Sequence, residues 1–366
     1  MNGKILTLLI PSYNMEKYLI NCLTSLIVHE KLMKKLEVLV VNDGSKDKTS
    51  EIAHRFEKQY PDTFRVIDKK NGNYGSCINR GLKEANGQFI KILDADDTFE
   101  TSNFSKYLDF LDVGGGTDCD CIFTDFVMVK PNGKIMNKIS QKIEPNKVLP
   151  VSALPEDINA SMWMHSVTYK TENLRKINYT QTEGISYTDQ EWIFLPMSTV
   201  KKIYYWPNIL YKYLVGRDGQ TISAESYAKN IWMEIRGVKV MIEEYEKYKL
   251  SFLPENQKYL SSQLIKRTGN IYQFFLFSFK KVLKQNELVD FDNYLKNTSS
   301  FVYEKTGDLL TYGRIRFKFI QEWRNGQTDK TFKFCVYRLA SGIFKISLFP
   351  FRFAKRILIN KSRITK

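Results

Sequence analysis

Three carboxylates stand in four positions, Asp94-Ala95-Asp96-Asp97, directly after an apolar run. Like charges this close repel and raise one another's pKa unless a cation or a bound ligand compensates. Oxygen ligands without a neighbouring His or Cys favour Mg2+ or Mn2+ over zinc, and sites for these ions combine one or two carboxylates with substrate phosphates. The run therefore reads as half of a metal–nucleotide site. The alternative is a solvated turn that caps the helix beginning near Thr101.

The acidic run closes an apolar strand, Phe89 to Leu93, interrupted only by Lys91. Before it, Ile5 to Ile10 and Val38 to Val41 read as buried strands and Arg65 to Ile67 as a short one. Helical spacing marks Glu16 to Val28, with Leu19, Cys22, Leu23 and Leu26 on one face, then Asp47 to Gln59 and Tyr74 to Ala85. Strand and helix alternating in this way predict an α/β fold with a mostly parallel sheet flanked by helices. Ligands of such sheets bind beyond the carboxyl ends of the strands. Three ends are chemically unusual: Pro11-Ser12-Tyr13-Asn14, Asn42-Asp43-Gly44-Ser45-Lys46-Asp47 and the acidic run. The first has no glycine, so the Gly-x-Gly-x-x-Gly turn of a dinucleotide-dependent hydride-transfer enzyme is missing.

With 366 residues, 43% hydrophobic and 14% aromatic, the chain is long enough for two domains with a large core. Five scattered cysteines read as reduced thiols, and Cys119-Asp120-Cys121 lacks the second Cys/His pair of a zinc site. No secretory leader and no membrane-spanning stretch are evident, which points to a cytoplasmic or peripheral protein. The formal charge is +15, but residues 330–366 hold ten Lys/Arg and no Asp/Glu. An excess confined to the tail argues for a local anionic partner and against a nucleic-acid-binding body.

The motifs are specific when taken together. Pro-Ser-Tyr-Asn, Val-Val-Asn-Asp-Gly-Ser, Gly-Asn-Tyr-Gly-Ser-Cys-Ile-Asn-Arg-Gly (72–81) and Asp-Ala-Asp-Asp resemble, in order and spacing, the family 2 glycosyltransferases of the GT-A fold. The resemblance covers roughly residues 4–225 and is nearest to bacterial enzymes of capsule, exopolysaccharide or teichoic-acid synthesis. It implies inverting transfer of a hexose or N-acetylhexosamine from a UDP-sugar to a hydroxyl of a cell-surface glycan or lipid-linked oligosaccharide, with Mn2+ or Mg2+ neutralising the leaving diphosphate.

The same resemblance assigns roles. Pro11 lines the base pocket, and Tyr13 either stacks on the base or packs the sheet rim. Asp43 accepts the uracil N3 proton. Asn79 matches a donor-side Asn, although Ile78 stands where the family has Arg. Asp94 contacts the ribose or lies behind it, Asp96 ligates the metal, and Asp97 ligates through water or caps the next helix. Trp163 and His165 belong to an acceptor-side wall or to the core. In Tyr187-Thr188-Asp189-Gln190-Glu191-Trp192, Asp189 is the general base or a helix cap, with Glu191 in reserve. Arg217, Gln220 and Ser223 hold the diphosphate, or form a solvated turn.

The domains expected are 1–225 for the GT-A part, 226–329 for a helical part, with helices over Ile231 to Tyr248 and Gln257 to Leu283, and 330–366 for a basic amphipathic tail. In that tail Phe332 to Phe349 has helical spacing. Its interleaved basic and apolar residues suit an anionic membrane surface, or a core helix with a basic face. A second subunit of a homo-oligomer is the other partner considered for the helical part. A sugar-nucleotide pyrophosphorylase needs a Gly-rich, Arg-containing loop after the first strand, which is missing. A non-enzymatic basic adaptor for membrane or nucleic acid explains the tail but not three acidic strand ends on one rim.

Overall fold

Two largely apolar runs become adjacent inner strands of a ten-stranded sheet, in a computed structural model that describes residues 3–217, 228–278, 283–310 and 317–326. They are β1 (Leu6–Ser12) and β2 (Leu36–Asn42), in which Leu8, Leu9, Ile10 and Val38 to Val41 are wholly buried. Burial on both faces is what continuous Val/Ile/Leu runs specify, because helices cover both sides of a parallel sheet. The other strands are β3 (Phe64–Asp68), β4 (Phe89–Ile92), β5 (Thr98–Phe99), β6 (Cys121–Val129), β7 (Ile135–Ile139), β8 (Val148–Pro150), β9 (Val167–Lys170) and β10 (Lys202–Leu214).

Their order is β3-β2-β1-β4-β9-β6-β10-β5, with β7 paired to β6 and β8 to β10. Strands β1 to β4 run parallel, β9 is antiparallel to both its neighbours, β6 and β10 are parallel, and β5 is antiparallel to β10. The mostly parallel α/β sheet is as expected. The chain winds outward from β1 to β3 and then returns to the other side of β1 at β4. The crevice beyond the carboxyl ends of β1 and β4 is therefore the topological switch point, the place where open sheets bind ligands.

The first helix is shorter than its periodicity suggests, Leu19–Thr24 in place of Glu16 to Val28, although Leu19, Cys22, Leu23 and Leu26 are all buried. Residues 14–16 are instead tied to the next helix start. Asn14 has φ +54°, Met15 N donates to Thr49 Oγ1 (2.6 Å) and Glu16 N to Asp47 Oδ2 (3.1 Å). Cys119 and Cys121 are buried thiols, as are Cys22 and Cys77.

The chain divides into two compact units, Met1–Val215 with Phe252–Asn256, and Gly216–Ser251 with Gln257 onward. The short return at 252–256 belongs to the first unit through Asn256, which is fully buried and donates from Nδ2 to Met197 O (2.6 Å) and Val200 O (2.8 Å).

The described part of the second unit is helical. Helices span Ile231–Tyr248, Pro254–Gln273, Gln285–Thr298, Ser300–Gly307 and Phe319–Arg324. The second expected long helix has different bounds: it spans Pro254–Gln273 and passes into a π turn at Phe274–Ser278, whose Phe275 and Phe277 are core residues. No helix among the described residues is long and apolar enough to cross a membrane. The Phe332 to Phe349 segment and the whole 330–366 tail lie outside the described residues.

Arg324 organises this unit. Its Nε donates to Asp292 Oδ1 (2.8 Å), its Nη1 to Tyr303 O (2.8 Å) and its Nη2 to Tyr272 Oη (3.0 Å), while its plane lies 3.6 Å from the Tyr303 ring centroid. Side-chain exposures of 6% for Arg324 and 14% for Asp292 make this a buried pair, for which removing one partner leaves an uncompensated charge. Arg324→Ala is expected to cost about 3 kcal/mol, read as a lower urea midpoint for the second unit.

Candidate active site at the switch point

Beyond β4 the chain turns tightly, with Asp97 N donating to Asp94 O (3.0 Å). Asp97 is 1% exposed; its Oδ2 accepts from Tyr211 Oη (2.7 Å) and its Oδ1 from Leu214 N (2.6 Å). Burial, and then the charges of Asp96 and Asp94, push its carboxyl well above the usual range. The helix Thr101–Asp112 has Glu100 at its N-cap, so the acidic run does not serve as its cap. Asp94 Oδ1 accepts from Tyr74 Oη (2.8 Å), and Asp94 N donates to Tyr211 Oη (3.1 Å). Asp94 and Asp96 are half-buried.

Tyr211 and Tyr213 are two apart on β10 and so lie on one face of it. Both rings meet His165, Tyr213 stacking at 4.5 Å between centroids and Tyr211 meeting it edge-on at 4.7 Å. Tyr213 and Leu214 end β10. His165 sits in a short turn, Met164–Ser166, and is 6% exposed. Burial, aided by Lys91, holds its pKa down at about 3, so the ring is neutral at physiological pH. Its Nδ1 is buried and has no hydrogen-bond partner among the described residues.

Lys91 explains how that turn reaches the acidic run. Wholly buried in β4, it donates from Nζ to His165 O (2.7 Å) and Val167 O (3.1 Å), and burial lowers its pKa to about 7. The polar residue that interrupts the apolar strand thus fastens β4 to the segment carrying His165.

Asp189 comes to the same place. It is half-buried at the first position of the turn of helix Asp189–Trp192, with Thr188 at the N-cap, and Gln190 Nε2 donates to its Oδ2 (3.0 Å). That turn packs on Met164–Ser166. The Tyr213 phenol is raised by burial and then by Asp97, Asp94, Asp96 and Asp189, and Tyr74 by burial and then chiefly by Asp94, with Asp189 contributing. These two phenols feel the acidic run and Asp189 together. Glu191, in reserve, is 6% exposed, and its Oε2 accepts from Thr182 N (2.7 Å), which commits it to the 181–183 loop.

Other expected residues separate into open and occupied groups. Tyr13 is 42% exposed past the end of β1, Pro11 is half-buried in β1, and Trp163 is half-buried against Phe126 and His165. Asp43 is 2% exposed at the end of β2. Its Oδ1 accepts from Lys69 Nζ (2.5 Å) and Gly72 N (3.0 Å), and its Oδ2 from Asn73 N (2.9 Å). Asn79, expected on the donor side, engages a loop: Nδ2 donates to Gln181 O and Glu183 Oε1 (both 2.9 Å), and Oδ1 accepts from Gln181 N (2.7 Å), so both of its amide hydrogens go to residues 181–183. Beside it Gly75 permits the close approach, since a Cβ there would lie 2.2 Å from Thr182 O. Arg217 begins the second unit, and Gln220 and Ser223 lie outside the described residues.

Asp94, Asp97 and His165 each offer one ligand atom, and these atoms lie within 4.8 Å of one another. The buried His165 Nδ1 without a partner supports a fit to a divalent cation, because a neutral imidazole supplies a lone pair where a buried N–H or lone pair otherwise goes unmet. Asp96, expected as the main ligand, is not part of this compact group, whereas His165, expected on the acceptor wall, is. An imidazole nitrogen in such a set would suit Mn2+ better than Mg2+. Tyr74, Tyr211, Tyr213 and Lys69 carried no expectation, although the Tyr-Lys-Tyr alternation of β10 was a usable signal for two of them.

Residues 7–178 match the family described as Glycosyl transferase family 2. The minor teichoic acid biosynthesis protein GgaB of Bacillus subtilis (strain 168) is 26% identical over 226 residues, 62% of this chain and 25% of GgaB. An uncharacterized glycosyltransferase of Mycoplasma pneumoniae, the MG025 homolog, is 38% identical over 104 residues, 28% of this chain and 34% of that protein. The chain thus spans a quarter to a third of the length of these curated relatives. In fold it is similar to S. aureus TarS 1–349 in complex with UDP, with a TM-score of 0.56 and 19% identity over 88% of this chain and 92% of that one. The same TarS fragment in complex with UDP-GlcNAc gives 0.51. Residues 7–178 of this chain are thus similar to glycosyl transferase family 2, and the sheet has the expected GT-A fold.

Proposed function

We propose that the chain is an inverting, metal-dependent glycosyltransferase that moves a hexose or N-acetylhexosamine from a UDP-sugar to a hydroxyl of a cell-surface glycan or lipid-linked saccharide. The observation that carries this reading is the meeting at one switch point of Asp94, Asp96 and Asp97 with Asp189, which comes from far along the chain but acts on the same phenols. Two separate sets of carboxylates at one site suit a displacement in which one set serves the leaving group and the other activates the nucleophile.

Asp189 takes the proton of the acceptor hydroxyl as its oxygen attacks the anomeric carbon. Attack on the face opposite the departing diphosphate inverts that centre. Asp94, Asp97 and His165 would hold the ion, with Asp96 beside them in the acidic wall, and a bound ion supplies neutralisation of charge on the leaving diphosphate. Tyr211 and Leu214 N keep the Asp97 carboxylate oriented, and Tyr74 does so for Asp94. Asp43, held rigid by Lys69, Gly72 and Asn73, keeps one acceptor position on Oδ2 for a uracil N–H, next to the exposed ring of Tyr13. Trp163 offers a platform to a sugar ring. The relatives' names place GgaB in teichoic acid biosynthesis, and a polymer of that kind is the acceptor class we favour, at the inner face of the membrane.

Calorimetric titration with UDP tests the donor half. Binding in Mn2+ that weakens at least tenfold in EDTA is expected; equal affinity with and without metal would remove the metal from the proposal.

A further inference from the structure

Lys69 follows β3 directly, and its N–H donates to Asn42 O (3.0 Å), which sets it beside the carboxylate that closes β2. Its side chain is 18% exposed, and the three hydrogens of its ammonium meet three acceptors: Asp43 Oδ1 (2.5 Å), Lys70 O (2.7 Å) and Ser76 Oγ (2.8 Å). Ser76 Oγ in turn donates to Asn73 O (2.7 Å), and Asn73 N donates to Asp43 Oδ2. The ammonium is thus engaged inside the protein and not held out to a phosphate. Gly72 makes the room for it, since a Cβ there would lie 2.6 Å from Ser76 Oγ and 3.2 Å from Lys69 Nζ. On the sheet side of the pair, burial and then Asp43 push the Cys77 thiol up to about 12, so it stays a neutral neighbour.

We propose, resting on the UDP-sugar reading above, that Lys69 is the positioning residue that sets base selectivity: it keeps the Asp43 carboxylate a pure acceptor, so the pocket takes uracil and turns cytosine away. The two bases are close in size, but uracil presents an N–H at N3 where cytosine presents a lone pair. An ionised carboxylate only accepts hydrogen bonds, so it matches the first and opposes the second. Without Lys69, the Asp43 side chain, 2% exposed, becomes a buried charge without its cation. Such a group neutralises by taking up a proton. The O–H so formed donates to cytosine N3, while the other oxygen still accepts from uracil. Discrimination between the bases therefore falls even where binding survives.

Calorimetric titration of the full chain in Mn2+ with UDP and, separately, with CDP reads the ratio of the two affinities, beside urea unfolding. The wild-type chain is expected to prefer UDP, and Lys69→Met to narrow that preference about tenfold or more, with UDP binding weakened and CDP binding held or improved. Lys69→Arg, which keeps the charge, is expected to retain the preference. Lys69→Gln, neutral but still a donor, takes the place of Lys69→Met if the latter lowers the unfolding midpoint. A lysine with a structural role alone would weaken both nucleotides equally. An unchanged ratio in the neutral variant, or a loss in Lys69→Arg as large as in Lys69→Met, overturns the inference and leaves the donor reading standing. A wild-type chain that binds both nucleotides equally does the same, whereas one that binds neither removes the donor reading and the inference with it.

Discussion

Asp189→Asn is expected to slow sugar transfer by about a thousandfold while leaving Mn2+-dependent UDP binding unchanged. The amide keeps the size of the side chain and its place at the first position of the helical turn, but it cannot accept the acceptor proton. A structural role for Asp189 predicts a different pattern, in which the loss appears in the unfolding midpoint and UDP affinity falls with it. Glu191→Gln supplies the contrast. That carboxylate is buried and accepts from Thr182 N, so its substitution is expected to loosen the 181–183 loop and lower stability. Single-turnover transfer, measured beside urea unfolding, distinguishes the two. Wild-type-like turnover in Asp189→Asn would remove the base from the proposal.

The second large effect is at the acidic run. Asp94→Asn is expected to weaken Mn2+-supported UDP binding at least tenfold, and His165→Ala to do the same with a further change, a relative gain for Mg2+ over Mn2+. The ratio of the two metals is the informative readout, because a packing defect from a lost ring would depress both alike. An unchanged ratio would take His165 out of the ligand set. Asp96→Ala tests the neighbouring carboxylate: loss of transfer with metal binding retained would place it on the nucleotide side.

The parallel part of the sheet was legible because β1 and β2 are buried on both faces, and burial of that kind imposes largely apolar runs. The three polar strand ends were legible for the complementary reason, since carboxylates at the end of such a run require compensation. His165 was not legible as a neighbour of the acidic run. It lies in an aromatic stretch with no acid beside it in sequence, and what brings it there is Lys91, whose ammonium reaches two backbone carbonyls across the sheet. A lysine within an apolar strand shows only that something pairs with it, and a carbonyl partner leaves no trace in residue types. Asn79 is the opposite case: its residue type fits the motif, but both of its amide hydrogens go to a loop that spacing alone does not bring near.

The return of the chain at Phe252–Asn256 has a consequence for how the protein is made. Asn256 closes over Met197 O and Val200 O, so the first unit lacks one of its internal fastenings until the ribosome has delivered residues well past its last strand. A fragment ending near residue 225 would carry the whole sheet and every carboxylate of the proposed site, yet leave those carbonyls without the Asn256 amide, at a cost of about 1–3 kcal/mol for each left buried. Synthesis of the helical unit is thus timed into completion of the first unit, and a truncated domain starts out weaker than its sequence limits suggest.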